Sequence, residues 1–183
     1  MKPGTIIRTF TAQDGRRVVL RTPTWNDLDD LLSVINSLVE EQANILVDEK
    51  VTREGEVDWL SNALARLEKD ETLYVVAEVD GRVVGNSELG RKTSSRERHV
   101  GTIGIAIRDG FREMGIGTEM IKTLIDQAKS MGFKVLTLSV FANNERAHHV
   151  YHKVGFVDTG RIPKKFFKEG KYIDEIQLAR VLE

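Results

Sequence analysis

A chain of 183 residues with 27 Lys plus Arg, 28 Asp plus Glu, four His and no Cys has material for one substantial core, and offers no disulfide, thiolate nucleophile or cysteine zinc site. Its formal charge of -1 speaks against a generic nucleic-acid binder, which needs a basic surplus to displace counterions, and no apolar run nears the ~20 residues of a membrane span. Met1-Lys2-Pro3-Gly4 leads into polar sequence rather than an apolar secretory segment, so one soluble, cytoplasmic domain over residues 1–183 is expected.

In chain order, residues 5–22 read as two short strands around Asp14-Gly15, a two-residue hairpin signal. Thr24 and Asp27 then have capping-box spacing, and Leu28, Leu31, Leu32, Ile35 and Leu38 predict one buried helical face. A second helix is predicted over 54–69, on Val57, Leu60, Leu64 and Leu67. Strands at 73–79 and 82–89, joined by Asp80-Gly81, and a third at 100–107 form a meander. A helix over 115–131 buries Ile116, Met120, Ile121, Leu124, Ile125 and Ala128, with Gly132 placed to end it. The strand at 134–140 completes a strand-helix-strand crossover and therefore a parallel pair. A helix over 144–154 ends at Gly155; a strand at 156–160, a turn at Glu169-Gly170 and an alternating strand at 172–182 close the chain. The fold class is α/β (α+β), a mixed, mostly antiparallel sheet of about seven strands flanked by helices, with an extra N-terminal hairpin strand.

The stretch Ile105-Ala106-Ile107-Arg108-Asp109-Gly110-Phe111-Arg112-Glu113-Met114-Gly115-Ile116-Gly117-Thr118 carries the most chemistry. A strand running through glycines into a helix gathers free backbone N–H groups at the positive end of the helix dipole, which makes an anion cradle. Gly115 and Gly117 let a phosphate approach the backbone, and Arg112 adds a cation. A dinucleotide fingerprint fails because Met120 stands where its third glycine belongs, and no Gly-Lys-Ser/Thr run marks a P-loop.

The order Arg112-x-x-Gly115-x-Gly117 after a strand resembles the pyrophosphate-binding motif of the GCN5-related N-acetyltransferase superfamily. Asn144-x-x-Ala147-x-x-x-Tyr151-x-Lys153-x-Gly155-Phe156 resembles its second signature, at the expected separation. The element order is similar over nearly the whole chain. The tail from Gly160 to Tyr172 is similar to the last hairpin of the branch that acetylates polyamines, amino acids and ribosomal-protein termini.

The resemblance implies transfer of an acetyl group from acetyl-CoA to a primary amine by direct attack. Acetyl-CoA is then a co-substrate and no metal is invoked. Its phosphates would lie on the backbone of Arg112, Glu113, Met114, Gly115, Ile116, Gly117 and Thr118, and its pantetheine along Ile105, Ala106 and Ile107, with Asn144 holding the cofactor or the helix start. Tyr151 becomes the general acid toward the leaving thiolate; Glu88, or alternatively His99, becomes the base for the amine. The implied partner is a small-molecule or peptide amine, with no nucleic acid and no membrane, and a second copy of the chain is a candidate partner. Ser139 stands where the protein-terminus branch often has Glu, which weakens that acceptor. A catalytically silent acyl-CoA-binding regulatory module on the same fold is the alternative.

Other readings fare worse. His148 and His152 share a helical face, but His149 replaces the Glu of a helical zinc-protease motif, so solvated histidines are expected. Gly85-Asn86-Ser87-Glu88-Leu89 lacks the final glycine of a nucleophile elbow. Residues 40–58 hold seven acids against two bases, a field that would draw in a cationic small amine, a polyamine or another amino-group-bearing metabolite.

Overall fold

The computed structural model describes all residues, Met1–Glu183, as eight strands and four α-helices: β1 (Ile6–Thr11), β2 (Arg17–Arg21), α1 (Leu28–Glu40), α2 (Arg53–Glu68), β3 (Thr72–Val79), β4 (Arg82–Arg91), β5 (Val100–Ile107), α3 (Ile116–Ser130), β6 (Val135–Phe141), α4 (Glu145–Lys153), β7 (Val157–Lys168) and β8 (Lys171–Val181). The strands follow the order β1-β2-β3-β4-β5-β6-β8-β7 in one mixed sheet, and β5 with β6 is the parallel pair that the crossover requires. No helix is long and apolar enough to cross a membrane. The chain falls into two compact units, one made of residues 1–90 and 104–124, the other of residues 91–103 and 125–183.

In the first unit the N-terminal hairpin turns through a longer loop than two residues. Ala12 N–H donates to Arg16 O and Gly15 N–H to Ala12 O, so the whole stretch Ala12–Arg16 makes the turn, with Gly15 supplying a φ of +87°. Thr24 and Asp27 do form the capping contact: Thr24 N–H donates to Asp27 Oδ2 at 2.7 Å, across a single 3-10 turn that precedes α1. Asp27 is buried and also accepts from both terminal nitrogens of Arg21, at 2.7 and 2.8 Å, which pushes the Arg21 guanidinium still further toward its charged form.

The buried face of α1 is Leu28, Leu31, Val34 and Leu38, so Val34 takes the place expected for Leu32 and Ile35. With Leu60 and Leu64 of α2 and Val76 and Val83 of the sheet, Leu28 and Leu31 make one apolar cluster. In α2, which Thr52 caps by accepting from Gly55 N–H at 3.1 Å, Glu56 and Ala63 join the buried stripe and Val57 is only half-buried. The meander carries a bulge: Ala77 pairs with Gly85 but Glu78 with Val83, leaving Val84 as the extra residue.

In the second unit the register of β5 with β6 covers Val100, Gly101 and Thr102 and stops there. The end of α3 is as read from sequence: Gly132 has a φ of +80°, its N–H donates to Lys129 O, and Phe133 N–H donates to Ala128 O. The strand expected at 156–160 runs on to Lys168, with register shifts that leave Pro163, Lys164 and Lys165 outside the ladder. It pairs with β8 through a turn at Glu169-Gly170, both at positive φ.

Candidate functional site

The turn that leads from β5 into α3 holds three residues in the left-handed region, Gly110 (φ +80°), Glu113 (φ +60°) and Gly115 (φ +84°). The first helical bond of α3 is Glu119 N–H to Gly115 O, so the amides of Ile116, Gly117 and Thr118 precede any carbonyl partner within the helix. These amides and the helix dipole favour an anion at one point. At Gly115 the requirement is conformational, since a Cβ there would meet nothing closer than Gln13 Nε2 at 3.9 Å. At Gly117 it is spatial: a Cβ would come to 3.2 Å from Ile107 Cδ1, so α3 lies close against the end of β5.

The turn is braced from two sides. Gln13 N–H donates to Met114 O at 3.1 Å, and Arg16 lies 4.6 Å from the centre of the Phe111 ring, so the N-terminal hairpin props it. Arg112 donates from Nε to Ile107 O at 2.8 Å and from both terminal nitrogens to the Glu41 carboxylate at the end of α1. The cation read from sequence as a phosphate ligand therefore gives three of its five N–H donors to protein groups. Gln13, Arg16 and Glu41 had no signal in the sequence, because each acts on a residue about 70 to 100 positions away.

Beyond Thr102 the register of β5 with β6 has ended, so Gly104, Ile105, Ala106 and Ile107 have no strand partner on that edge. On the other edge β4 approaches unusually close: a Cβ on Gly85 would sit 2.7 Å from Ala106 O, and Arg108 N–H donates to Val84 O at 2.9 Å. The bulge at Val84 thus sets the end of β5 against a tight floor and leaves its opposite edge for an added extended chain.

Glu88 is exposed, and a Cβ on Gly104 would meet its Oε1 at 3.5 Å, so the carboxylate lies over the β5 backbone. The bulge breaks the simple alternation from Val84 to Glu88, since Val83, Val84 and Gly85 are all buried. Across the strand pair Glu88 faces Tyr74, whose ring packs edge-on against Trp59 at 5.7 Å. Burial first, and then the nearby Glu88 charge, hold the Tyr74 hydroxyl above its ordinary pKa. Tyr74 and Trp59 were not picked out in the sequence.

In the second unit Asn144 caps α4, its Oδ1 accepting from Ala147 N–H at 3.3 Å. Tyr151 is 8% exposed, packs 6.1 Å from Phe156, and burial pushes its hydroxyl pKa up to about 12. His99 is exposed just before β5, at the opposite end of the strand from Ile107, and its carbonyl accepts from the amides of Lys134 and Val135. Of the acidic run at 40–58, Glu40 pairs with Lys50 inside the run, Glu41 with Arg112 and Arg53 with Asp29 outside it, and Glu56 is buried.

Comparison with known proteins bears on the same elements. The chain is 30% identical over 108 residues to the L-amino acid N-acetyltransferase AaaT of Escherichia coli strain K12, covering 58% of this chain and 67% of that one. It superposes on a ribosomal-protein-alanine N-acetyltransferase from Brucella melitensis with a TM-score of 0.79 and 27% identity, over 89% of this chain and 99% of that one. A phosphinothricin acetyltransferase from Sinorhizobium meliloti, crystallised with acetyl-CoA, shares the fold at a TM-score of 0.80 and 19% identity, over 94% and 89% of the two chains. The profile of the acetyltransferase (GNAT) family matches residues 33–156, from within α1 to the turn after α4, and so takes in the braced turn, the bulged β4 and the unpaired end of β5. The chain belongs to the acetyltransferase (GNAT) family.

Proposed function

We propose that the protein is an acetyl-CoA-dependent N-acetyltransferase whose acceptor is the primary amine of an amino acid or a similarly small molecule. The observation that carries this reading is the braced turn: free amides at the start of α3, reached through three positive-φ residues, beside a β5 end with one open edge. Those features fit a long, phosphate-bearing acyl carrier, and the S. meliloti relative is crystallised with acetyl-CoA.

Acetyl-CoA supplies the activated thioester. The amides of Ile116, Gly117 and Thr118 bind its pyrophosphate, with Glu113, Met114 and Gly115 shaping the approach. The backbone of Ile105, Ala106 and Ile107 pairs with the pantetheine as an added strand would. Arg112 acts through Glu41 and Ile107 to hold the turn rather than as a free phosphate ligand. An acceptor ammonium must lose a proton before its nitrogen can attack, and the Glu88 carboxylate, exposed over Gly104, takes it; His99 is the less favourable base, standing at the far end of β5. The amine forms the new C–N bond, the C–S bond breaks, the nitrogen sheds its second proton to solvent, and the buried Tyr151 hydroxyl gives its proton to the departing sulfur and regains one from solvent.

The E. coli relative is named for L-amino acids and the B. melitensis one for a ribosomal-protein alanine. Ser139 in place of Glu favours the amino acid over a protein terminus, and the acceptor named for the E. coli relative favours it over a polycation. Incubation with acetyl-CoA and a panel of amino acids, polyamines and N-terminal peptides, following CoA release and product mass, tests this directly. Turnover of an amino acid above all polyamines and peptides is expected; a polyamine or peptide turned over best would overturn the acceptor assignment.

A further inference from the structure

His148 and His152 stand one turn apart on α4, and Asp158 is the second residue of β7. His148 Nε2 lies 2.8 Å from Asp158 Oδ1, His152 Nε2 lies 3.0 Å from the same oxygen, and the two nitrogens are 3.1 Å from each other. The rings meet edge to face, 85° apart, with the three ligand atoms gathered at one point. Hydrogen bonding accounts for only part of this triangle. A neutral imidazole carries one N–H; placed on Nε2 in both rings, the two protons serve the two sides that run to Asp158 and leave the nitrogens facing each other with none between them. One cation above the triangle satisfies all three atoms together.

The dimensions match such a cation. With bonds of about 2.1 Å, neighbouring ligand atoms are about 3.0 Å apart on an octahedral face and about 3.4 Å apart in a tetrahedron, and the three sides here span 2.8 to 3.1 Å. The side chains are 27%, 43% and 47% exposed, so water has access to the remaining positions. Two imidazoles and one carboxylate suit a borderline divalent ion, whereas Mg²⁺ and Ca²⁺ take shells of oxygen. We propose that His148, His152 and Asp158 form a surface site for a late first-row divalent cation, Zn²⁺ or Ni²⁺, which clips α4 to β7 across the turn at Gly155. His149 points off this face and is no part of the site. The clip is structural: it fixes the helix that carries Tyr151 and supplies no step of the acetyl transfer.

Tag-free protein, freed of metal with a chelator, is titrated with Zn²⁺, Ni²⁺ and Mg²⁺ separately, by calorimetry and by thermal unfolding. One equivalent of Zn²⁺ or Ni²⁺ is expected to bind and, at a ~100-fold excess over its Kd, to raise Tm by about 5 °C, with no shift from Mg²⁺. His152→Ala and Asp158→Asn are each expected to weaken binding by at least about tenfold, since loss of even an outer-shell partner costs that much; His149→Ala leaves it unchanged. All three side chains are exposed enough for the variants to fold, which circular dichroism verifies. Absence of saturable Zn²⁺ and Ni²⁺ binding overturns the site, as does equal binding by a His148→Ala/His152→Ala double variant.

Discussion

Gly85 shows how one residue sets the geometry of the site. Its missing side chain lets the Ala106 carbonyl approach to where a Cβ would be 2.7 Å away, a distance that no flexible side chain can relieve because the obstacle is backbone. Gly85→Ala should therefore push β4 from β5 at a cost of about 1–3 kcal/mol in denaturant unfolding, and should raise the KM for acetyl-CoA by shifting Ile107. Stability and KM both equal to wild type would mean that the two strands part without consequence. Tyr151 makes the complementary case for chemistry. With its hydroxyl held protonated by burial, Tyr151→Phe should lower kcat by about 10²-fold while leaving acetyl-CoA affinity intact. An unchanged kcat, measured where chemistry limits turnover, would leave the ring a packing group against Phe156.

At the scale of elements, α3 was the most legible: Ile116, Met120, Ile121, Leu124, Ile125 and Ala128, read from spacing alone, are all at most 4% exposed. Its pattern is set by one helix face, which periodicity captures. In α1, by contrast, Val34 displaced Leu32 and Ile35, because the neighbours that choose between adjacent apolar faces, Leu60 and Leu64, are remote in sequence. The bulge in β4 and the long loop of the first hairpin escaped for the same reason. The clamp between α1 and the turn gives a test whose sign decides the role of Arg112. Glu41→Ala should raise the KM for acetyl-CoA about tenfold at unchanged kcat, since losing one charge-assisted bond frees the turn; a lowered KM would make Arg112 a phosphate ligand that Glu41 restrains. In α2, burial holds the Glu56 carboxyl above its ordinary value of 4.5. The folded state then favours the protonated form, so the penalty is absent below the unfolded pKa, grows as pH rises through it, and levels off above the raised folded value. Glu56→Gln should be more stable than wild type at pH 7, with the gap closing as pH falls below about 4; a gap independent of pH would show that Glu56 is not titrating in a buried place.

For the whole molecule, the two units are each built from two separate stretches of chain, and the family match at 33–156 draws on both. The sequence made the turn before α3 and the ends of α3 and α4 legible because backbone conformation is written in local glycines: Gly110, Gly115, Gly132 and Gly155 all take the positive φ that their positions demand. It could not show what holds the turn, since Gln13, Arg16 and Glu41 come to it only through the fold. What all of this supports is a phosphate held by the amides that open α3, and calorimetric titration of acetyl-CoA into wild type, Gly117→Asn and Gly117→Asp tests it most directly. Both substitutions meet the same Ile107 methyl and are nearly the same size, while only Asp carries a charge, so packing damage is common to the two and repulsion of the phosphate is not. With both variants folded by circular dichroism, the Asp protein is expected to bind at least about tenfold more weakly than the Asn protein, a difference of ~1.4 kcal/mol; equal affinities for the two would contradict an anion at this helix start.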